Sequence, residues 1–290
     1  MKNTRKNATH EQNLLIQQAQ AFFRANRTRP KKQLGQHFLI NPEILSVIIE
    51  AGKVTSNDVV IEIGAGLGCL TAALAESAKN VVAIEVDPQL VSELETQFSS
   101  DRKVQIVQAD ILEVDIPSLF PPDSRPKVVA NLPYGITSPI LWKLLENTEI
   151  LDTCVLMMQR EVAERIVASP GGKDYGALTI GISYYADTTL IDLLMPDNFY
   201  PAPKVDSALL KLTMREEPRV IVNDEGYFFR VVREAFRGRR KMLKNSLRRF
   251  APANTLSNVF EELNIAPQRR AETLDITEFA ALADLLHLNV

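Results

Sequence analysis

The chain has 290 residues, of which 46% are hydrophobic and 24% charged, values typical of a globular protein with a sizeable core. No run of eighteen apolar residues occurs, which argues against a membrane-spanning helix. Residues 1–30 lack the apolar centre of a secretory signal, although an organelle transit peptide is an alternative for this basic, amphipathic segment. The cysteines, Cys69 and Cys154, form no CxxC motif, and three scattered histidines make a metal site improbable. We therefore expect packed thiols and a cytoplasmic protein.

The net charge of −3 conceals two basic segments. Residues 24–32 contain five lysines and arginines and no acid, and residues 237–249 contain seven and no acid. Such blocks are typical of nucleic-acid contacts, and a solvated charged surface is the alternative.

In chain order, the first predicted element is a helix that begins near Thr9, where Gln12 would complete a capping box. From Val59 onwards, short apolar runs alternate with helix-like segments. The predicted strands cover 59–63, 80–86, 104–110, 127–131 and 153–158, and the predicted helices cover 68–78, 88–98, 138–146 and 160–168. This alternation predicts an α/β fold with a parallel, doubly wound sheet.

After residue 175 the pattern changes. Residues 178–186 are compatible with a helix or a strand, and residues 207–214 predict a late strand, added antiparallel. Beyond a polar linker at 215–220, residues 224–288 are helix-like, with a break at "FAPAN". We predict an N-terminal arm or helix (1–28), an α/β domain (29–215) and a small helical domain (216–290).

The motif "EIGAGLG" (62–68) joins the first parallel strand to the first helix, where glycines let a ligand approach the backbone. The dinucleotide fingerprint G-x-G-x-x-G requires a third glycine where this chain has Cys69. Binding of a pyrophosphate is therefore disfavoured. A tight turn without a ligand is the alternative for Gly64 and Gly66.

Acidic residues end the next two strands. Glu85, in "AIEVD", is well placed to accept hydrogen bonds from ribose hydroxyls, and Asp110, in "VQAD", to accept from an adenine amine. A surface carboxylate and a helix N-cap, respectively, are the alternatives. Together with the glycine loop, these acids predict a site for a nucleoside without phosphates, and S-adenosylmethionine is the common cofactor of that kind.

The fourth strand ends in Asn131-Leu132-Pro133-Tyr134. The Asn131 carbonyl, with a backbone carbonyl from the turn that Pro133 fixes, can accept both hydrogens of an exocyclic amine and orient its lone pair. Tyr134 offers a face on which an unpaired base can stack, and Phe199, in "NFYPAPKVDSA", a second. A turn with a buried tyrosine, and core packing of Phe199, are the alternatives.

Several motifs in this order resemble those of the KsgA-type small-subunit ribosomal RNA adenine dimethyltransferases. They are "KKQLGQHFLINPEIL" (31–45), "VVIEIGAGLGCLT", "AIEVD", "ADIL", "NLPYGITSPI", "FYPAPKVDSALLKL" and "AFRGRRKMLKNSL" (235–247). The resemblance covers roughly residues 30–285. The pair "GQ-x-FL" and "NLPY" is the specific part, whereas the glycine loop is generic.

The resemblance implies a Rossmann-like class I methyltransferase that dimethylates two adjacent adenines at N6, in a hairpin loop near the 3′ end of the small-subunit rRNA. It also implies a role in small-subunit biogenesis and a monomer. The implied cofactor residues are His37, Leu39, Gly64, Glu85, Asp110 and Asn131, and the implied catalytic residues are Asn131, Leu132 through its carbonyl, and Tyr134, with Phe199 as stacking partner. Many family members have Asn in place of His37, whose contact is then through the backbone or altered; a packed histidine is the alternative.

The basic segment at 237–249 predicts one helix. Arg237, Lys241, Lys244 and Arg248 share a face at helical spacing, with Arg240 nearby, and Phe236, Leu243, Leu247 and Phe250 mark an apolar face. Cations along one face of a helix suit RNA phosphates, and residues 24–32 could contribute likewise.

Two rival interpretations remain open. The chain could be a ribosome-assembly or organellar transcription factor that retains the fold without turnover, or an adenine methyltransferase for another RNA. The intact "NLPY" argues against lost activity. A dehydrogenase is the most distant interpretation, because Cys69 replaces the required glycine.

Overall fold

The computed structural model describes the backbone of residues 2–121, 123–238 and 241–289, and side chains from residue 10 onwards. The helices are α1 (Lys2–Ala25), α2 (Pro42–Gly52), α3 (Cys69–Ser77), α4 (Pro88–Gln97), α5 (Thr137–Leu145), α6 (Arg160–Ile166), α7 (Ala177–Tyr185), α8 (Glu225–Phe236), α9 (Leu243–Ser246), α10 (Ala253–Glu262) and α11 (Ile276–Asn289). The strands are β1 (Phe38–Leu39), β2 (Val59–Ile63), β3 (Asn80–Glu85), β4 (Val104–Gln108), β5 (Lys127–Asn131), β6 (Thr153–Gln159), β7 (Ala186–Leu194), β8 (Phe199–Tyr200) and β9 (Ser207–Met214).

Seven strands form one sheet in the order β4-β3-β2-β5-β6-β9-β7, and β1 pairs with β8 in a separate antiparallel ribbon. The strands from β4 to β6 are parallel, and β9 is antiparallel to β6. The chain moves outward from β2 through β3 to β4 and then returns to the other side of β2 as β5. This reversal creates a crevice at the carboxyl ends of β2 and β5, where open α/β sheets bind ligands.

The central strands are apolar because helices cover both faces of the sheet. Val60, Ile61 and Ile63 of β2 are buried, as is the run Val128-Val129-Ala130 of β5. On one side, α2 and α3 pack their apolar residues onto these strands, in a cluster that includes Ile48 and Leu74. This packing positions the residues that follow each strand.

The chain divides into two compact units. The first contains the residues up to 163 together with 189–214, and the second contains residues 164–188 and those from 215 onwards. The second unit has its own aromatic-rich core of buried side chains, among them Tyr184, Phe228, Phe260 and Phe279. The predicted boundary at 215/216 stays a prediction; the passage of residues 164–188 into the second unit was not anticipated.

The Rossmann-like sheet and the helical C-terminal region are confirmed, and 59–63, 127–131 and 207–214 are strands with the predicted bounds. Residues 178–186, left open between helix and strand, fall in α7 except for Ala186. The predicted start of the first helix near Thr9 is wrong, because α1 extends back to Lys2. No proline or glycine occurs in residues 2–8, so nothing there ends a helix. Strand β7 was not predicted.

Among the described residues, no helix has both the length and the apolar character needed to cross a bilayer.

Candidate active site

A cavity of about 250 Å³ lies at the carboxyl ends of the central parallel strands. Residues 33–39 line it, together with the glycine loop at 62–67. Glu85, Asp110 and Asn131, which follow or end three different strands, line it as well. The structure therefore brings the predicted cofactor residues to one place.

The glycine loop has the backbone conformation that its sequence requires. Gly64 and Gly66 have φ values of +75° and +59°, in the left-handed region that favours glycine. A Cβ atom at Gly66 would lie 3.0 Å from the Phe38 ring, so a side chain would be crowded there. The Gly66 amide donates to Glu85 Oε2 at 2.9 Å. This amide is therefore used within the protein and is not free to bind a phosphate.

Glu85 is buried at the end of β3 and held by three backbone amides. Besides Gly66, the amides of Val86 and Asp87 donate to Oε1 at 3.0 and 2.9 Å. Burial raises the pKa of Glu85, and the three amide hydrogen bonds oppose that rise. A carboxylate oxygen can accept two hydrogen bonds, so Oε2 retains capacity for a ligand hydroxyl.

Asp110 both caps a turn and lines the cavity. Its Oδ1 accepts from the Leu112 amide at 2.9 Å, and its carbonyl accepts from Glu113 at 2.9 Å. The helix N-cap alternative is wrong, because residues 111–113 form a turn and no helix follows Asp110 directly. Capping of this turn does not exclude a ligand contact, because Asp110 lies in the cavity wall.

Asn131 has a fixed amide orientation. Its Nδ2 donates to the backbone carbonyl of His37 at 2.7 Å, which leaves Oδ1 as the acceptor. The His37 ring is held in turn, because Nδ1 lies 2.6 Å from the Pro201 carbonyl and must donate to it. His37 thus contacts Asn131 through its backbone carbonyl, and its predicted contact with the cofactor stays a prediction.

Tyr134 is fixed at both its ring and its hydroxyl. The ring stacks against His37 with centroids 5.4 Å apart and an interplanar angle of 25°, and the hydroxyl lies 2.6 Å from Ser207 Oγ. Burial raises the pKa of Tyr134, so the phenol is neutral at physiological pH. The preceding turn is anchored as well, because the amide of Leu132 donates to the Met157 carbonyl at 2.9 Å. Pro133 lines the cavity.

Phe199 is 2% exposed and does not line the cavity. It pairs with Leu39 in the β1–β8 ribbon and belongs to the apolar cluster that contains Leu194 and Leu209. This placement matches the core-packing alternative for Phe199, and its role as a stacking partner stays a prediction. Leu39, its pairing partner, does line the cavity.

Glu62 is a cavity residue to which the sequence analysis assigned no role. It is 1% exposed and accepts a hydrogen bond from Thr71 Oγ1 at 2.6 Å. Burial raises its pKa to about 8. The available signal was an acid inside an otherwise apolar strand, directly before the glycine loop.

The cavity is acidic in composition. Glu62, Glu85 and Asp110 line it, and within the described part of the chain no lysine or arginine does. The raised pKa of Glu62 keeps that carboxyl largely neutral near pH 7, so Glu85 and Asp110 are the groups that would repel a phosphate and favour a positively charged ligand.

The sequence profile of the Ribosomal RNA adenine dimethylase family matches residues 27–287. The chain belongs to this family. It is 42% identical over 257 residues to the ribosomal RNA small subunit methyltransferase A of Clostridium botulinum strain Langeland, covering 88% of this chain and 94% of the relative. It is 43% identical over 265 residues to the protein of the same name from Shouchella clausii, covering 89% and 90%.

Two solved structures have a similar architecture. A dimethyladenosine transferase from Plasmodium falciparum has a TM-score of 0.73 and 29% identity, covering 85% of this chain and 96% of that one. The 23S rRNA methyltransferase ErmE has a TM-score of 0.66 and 26% identity, covering 86% and 99%. The family match includes both the cavity and the basic segment at 237–249.

That segment is not the single helix that its spacing predicted. Helix α8 ends at Phe236, a turn closed by the Lys241 amide and the Gly238 carbonyl at 2.8 Å follows, and α9 begins only at Leu243. Glycine favours the break, and the like charges of Arg237 and Lys241 four residues apart would repel each other on a helix. Arg240 lies outside the described residues.

The apolar half of that prediction is confirmed. Leu243 and Leu247 are completely buried, and Phe236 and Phe250 pack against the same core. Arg237, Lys241 and Arg248 are exposed and Lys244 is half-buried. Arg237 lies 3.4 Å from Glu234, and such an exposed ion pair contributes little to folding stability.

Proposed function

We propose that this protein uses S-adenosylmethionine to dimethylate adenine N6 in small-subunit rRNA, at two adjacent adenines of the 3′-terminal hairpin loop. Membership of the rRNA adenine dimethylase family supports the reaction. The curated relatives at 42% and 43% identity are named for the small subunit, which supports the choice of RNA.

The composition of the cavity wall fits this cofactor. S-adenosylmethionine would supply an activated methyl group on a positively charged sulfonium, beside an ammonium group. The carboxyl groups of Glu85 and Asp110 suit those charges, whereas a dinucleotide would bring a pyrophosphate against them. Glu85 Oε2 would accept from the ribose and Asp110 from the adenine amine of the cofactor, while Gly64, Gly66, His37 and Leu39 complete the wall.

The observation that carries the proposal is the fixed amide of Asn131. Because Nδ2 is bound to the His37 carbonyl at 2.7 Å, Oδ1 is committed to accepting. A target adenine amine would donate one hydrogen to Oδ1 and the other to the Leu132 carbonyl, whose turn Pro133 stiffens. The nitrogen lone pair would then be oriented for transfer without a strong general base.

Tyr134 would hold the target base by stacking. His37 occupies one face of its ring, and the bond to Ser207 fixes the ring plane. An unpaired base that has left its RNA loop would stack on the opposite face. The stacking energy would compensate part of the cost of unstacking the base from its neighbours.

RNA affinity would come from cations of the second unit, namely the exposed Arg237, Lys241 and Arg248 and the half-buried Lys244, with Arg240 as a further expected contact. We expect the assembling small ribosomal subunit as the physiological partner, no membrane association, a monomer and a cytoplasmic location.

Similarity to ErmE makes a different rRNA a second candidate substrate, since that neighbour is a 23S rRNA methyltransferase. Its 26% identity is lower than the 42% and 43% identity to the small-subunit relatives, which favours the small subunit. The fixed Asn131 amide also favours an enzyme over an assembly factor that only binds RNA.

The test combines the protein, radiolabelled S-adenosylmethionine and small ribosomal subunits from a strain that lacks this methylation, followed by digestion of the RNA to nucleosides. We expect label in N6,N6-dimethyladenosine from the 3′-terminal hairpin. Large subunits from an unmethylated strain, incubated in parallel, test the second candidate. Bound cofactor without label in either RNA would contradict an enzymatic role.

A further inference from the structure

Residues 31–39, here called the strap, run along the cavity wall. Both ends of the strap form hydrogen bonds with residues in or next to the predicted site. Residues 33–39 line the cavity. Towards the end of the strap, the His37 carbonyl accepts from Asn131 Nδ2 at 2.7 Å, and the Phe38 ring lies against Gly66. In its middle, Gly35 approaches the Tyr134 amide so closely that a Cβ atom would lie 3.3 Å from it.

The start of the strap is tied to Asp87, the residue two positions after Glu85. Lys31 Nζ donates to Asp87 Oδ1 at 2.8 Å, and Gln36 Nε2 donates to Oδ2 at 2.9 Å. The amide of Lys31 donates to Gln36 Oε1 at 2.7 Å, which closes the network. The side chain of Asp87 is only 3% exposed, whereas that of Lys31 is 39% exposed.

The same aspartate also contacts the predicted ribose acceptor. The amide of Asp87 donates to Glu85 Oε1 at 2.9 Å. Burial alone would raise the pKa of Asp87, but the hydrogen bonds from Lys31, Gln36 and the Gln89 amide lower it below its usual range. Asp87 is therefore an anion at neutral pH, and Lys31 is the cation that neutralises it.

We propose that Lys31 is a positioning residue, whose ion pair with Asp87 holds the strap over the bound cofactor and thereby orients Asn131. This inference rests on the proposed function. At one end of the strap, Lys31 binds Asp87, whose amide binds Glu85. At the other end, the His37 carbonyl binds Asn131. Lys31 therefore acts within the methyltransferase site, although the sequence grouped it with the basic segment at 24–32.

The substitution Lys31→Met removes the charge and keeps much of the apolar stem. Charge-assisted hydrogen bonds are stronger than neutral ones, although the partial exposure of Lys31 reduces their effect. We expect the dissociation constant for S-adenosylhomocysteine, measured by calorimetry, to rise about tenfold, together with a lower single-turnover methylation rate. Lys31→Arg should restore both quantities in large part, since it returns a donor cation.

Lys32→Met is the matched control, because Lys32 is the exposed neighbour and the change in charge is the same. It should leave the dissociation constant for S-adenosylhomocysteine unchanged. In hydrogen exchange, S-adenosylhomocysteine should slow the amides of residues 33–39 in the parent and the Lys32 variant, and much less in Lys31→Met. A purely structural loss would lower the fraction of folded protein and leave the constants of the folded fraction unchanged.

The outcomes separate this inference from the proposed function. If the parent protein does not bind S-adenosylhomocysteine, the cofactor assignment is wrong. If the parent binds it and Lys31→Met binds equally well, with the same strap protection and turnover, then the role of Lys31 is wrong while the proposed function stands.

Discussion

At the scale of single residues, a substitution of Asn131 tests methyl transfer separately from cofactor binding. Asn131→Ala removes the oriented acceptor and also the donor to the His37 carbonyl. We expect single-turnover methylation to fall about a hundredfold or more, as for the loss of other preorganised polar groups, with cofactor binding mostly retained. Rapid-quench measurements of labelled RNA, with calorimetry of S-adenosylhomocysteine, provide both quantities.

Asn147→Ala is a matched control for that variant. Asn147 Nδ2 also donates to a backbone carbonyl, that of Lys143 at 2.8 Å, but the residue lies after α5 and does not line the cavity. Its loss should leave the transfer rate unchanged. Methylation by Asn131→Ala at the parental rate would contradict the positioning mechanism.

Glu62 makes a different prediction, about pH. Its folded pKa of about 8 exceeds the ordinary value of 4.5, so between these values the unfolded state has released a proton that the folded state keeps. Stability from this group is thus fully present below about pH 4.5 and is lost as the pH rises towards 8. Glu62→Gln keeps an acceptor for Thr71 and removes the titration.

Urea unfolding of the apo protein at about pH 5 and about pH 8 checks this prediction. The stability of Glu62→Gln relative to the parent should increase with pH, by at most about 1.4 kcal/mol per pH unit. Glu76→Gln, the same chemical change at an exposed position of α3, should show no such trend. A difference that does not depend on pH would mean that Glu62 is ionised in the folded protein.

At the scale of elements, the glycine loop between β2 and α3 requires its left-handed residues. Gly66→Ala adds a Cβ at φ +59° and places it 3.0 Å from the Phe38 ring. We expect a loss of about 1–2 kcal/mol in the free energy of unfolding and weaker binding of S-adenosylhomocysteine. Thermal unfolding and calorimetry measure the two effects.

Gly135→Ala is the control for stability, since a Cβ there meets nothing within 4 Å and its φ is outside the left-handed region. It should unfold at nearly the parental temperature. Equal stability of Gly66→Ala and the parent would show that the loop relaxes without cost.

Elements whose signal is local could be predicted from the sequence. The apolar runs Val59–Ile63 and Lys127–Asn131 are bounded by turn residues, and their strands match the structure. Strand β7 was missed because its sequence, "ADTTLIDLL", mixes exposed and buried residues at an edge of the sheet. The spacing of cations at 237–249 was helical, yet Gly238 and charge repulsion break the helix there.

The candidate site also contains residues that could be placed from the sequence and residues that could not. Residues that end strands, such as Glu85 and Asn131, could be placed from the sequence because parallel strands end at one edge. Contacts between distant segments could not. Neither the Lys31–Asp87 pair nor the burial of Phe199 follows from local pattern, since each depends on how the β1–β8 region packs.

At the scale of the whole molecule, RNA affinity must overcome a net charge of −3. The acidic cavity is in the first unit, and the exposed cations of 237–249 are in the second. Reversing Arg237, Lys241 and Lys244 to Glu should therefore weaken RNA binding and leave cofactor affinity unchanged. Loss of three phosphate contacts should reduce the slope of log K against log salt by about 2 for an unpaired RNA loop.

A matched triple variant reverses Lys53, Lys79 and Arg102, which are exposed and precede β2, β3 and β4 at the edge of the sheet opposite the cavity. Both sets change the net charge equally, so a general electrostatic effect would weaken RNA binding in both. If residues 237–244 form a specific docking surface, only their reversal would weaken RNA binding, because only those cations would face phosphates. Filter binding of the 3′-terminal rRNA fragment across a salt series distinguishes these outcomes, and equal slopes for the parent and the 237–244 variant would contradict the assignment.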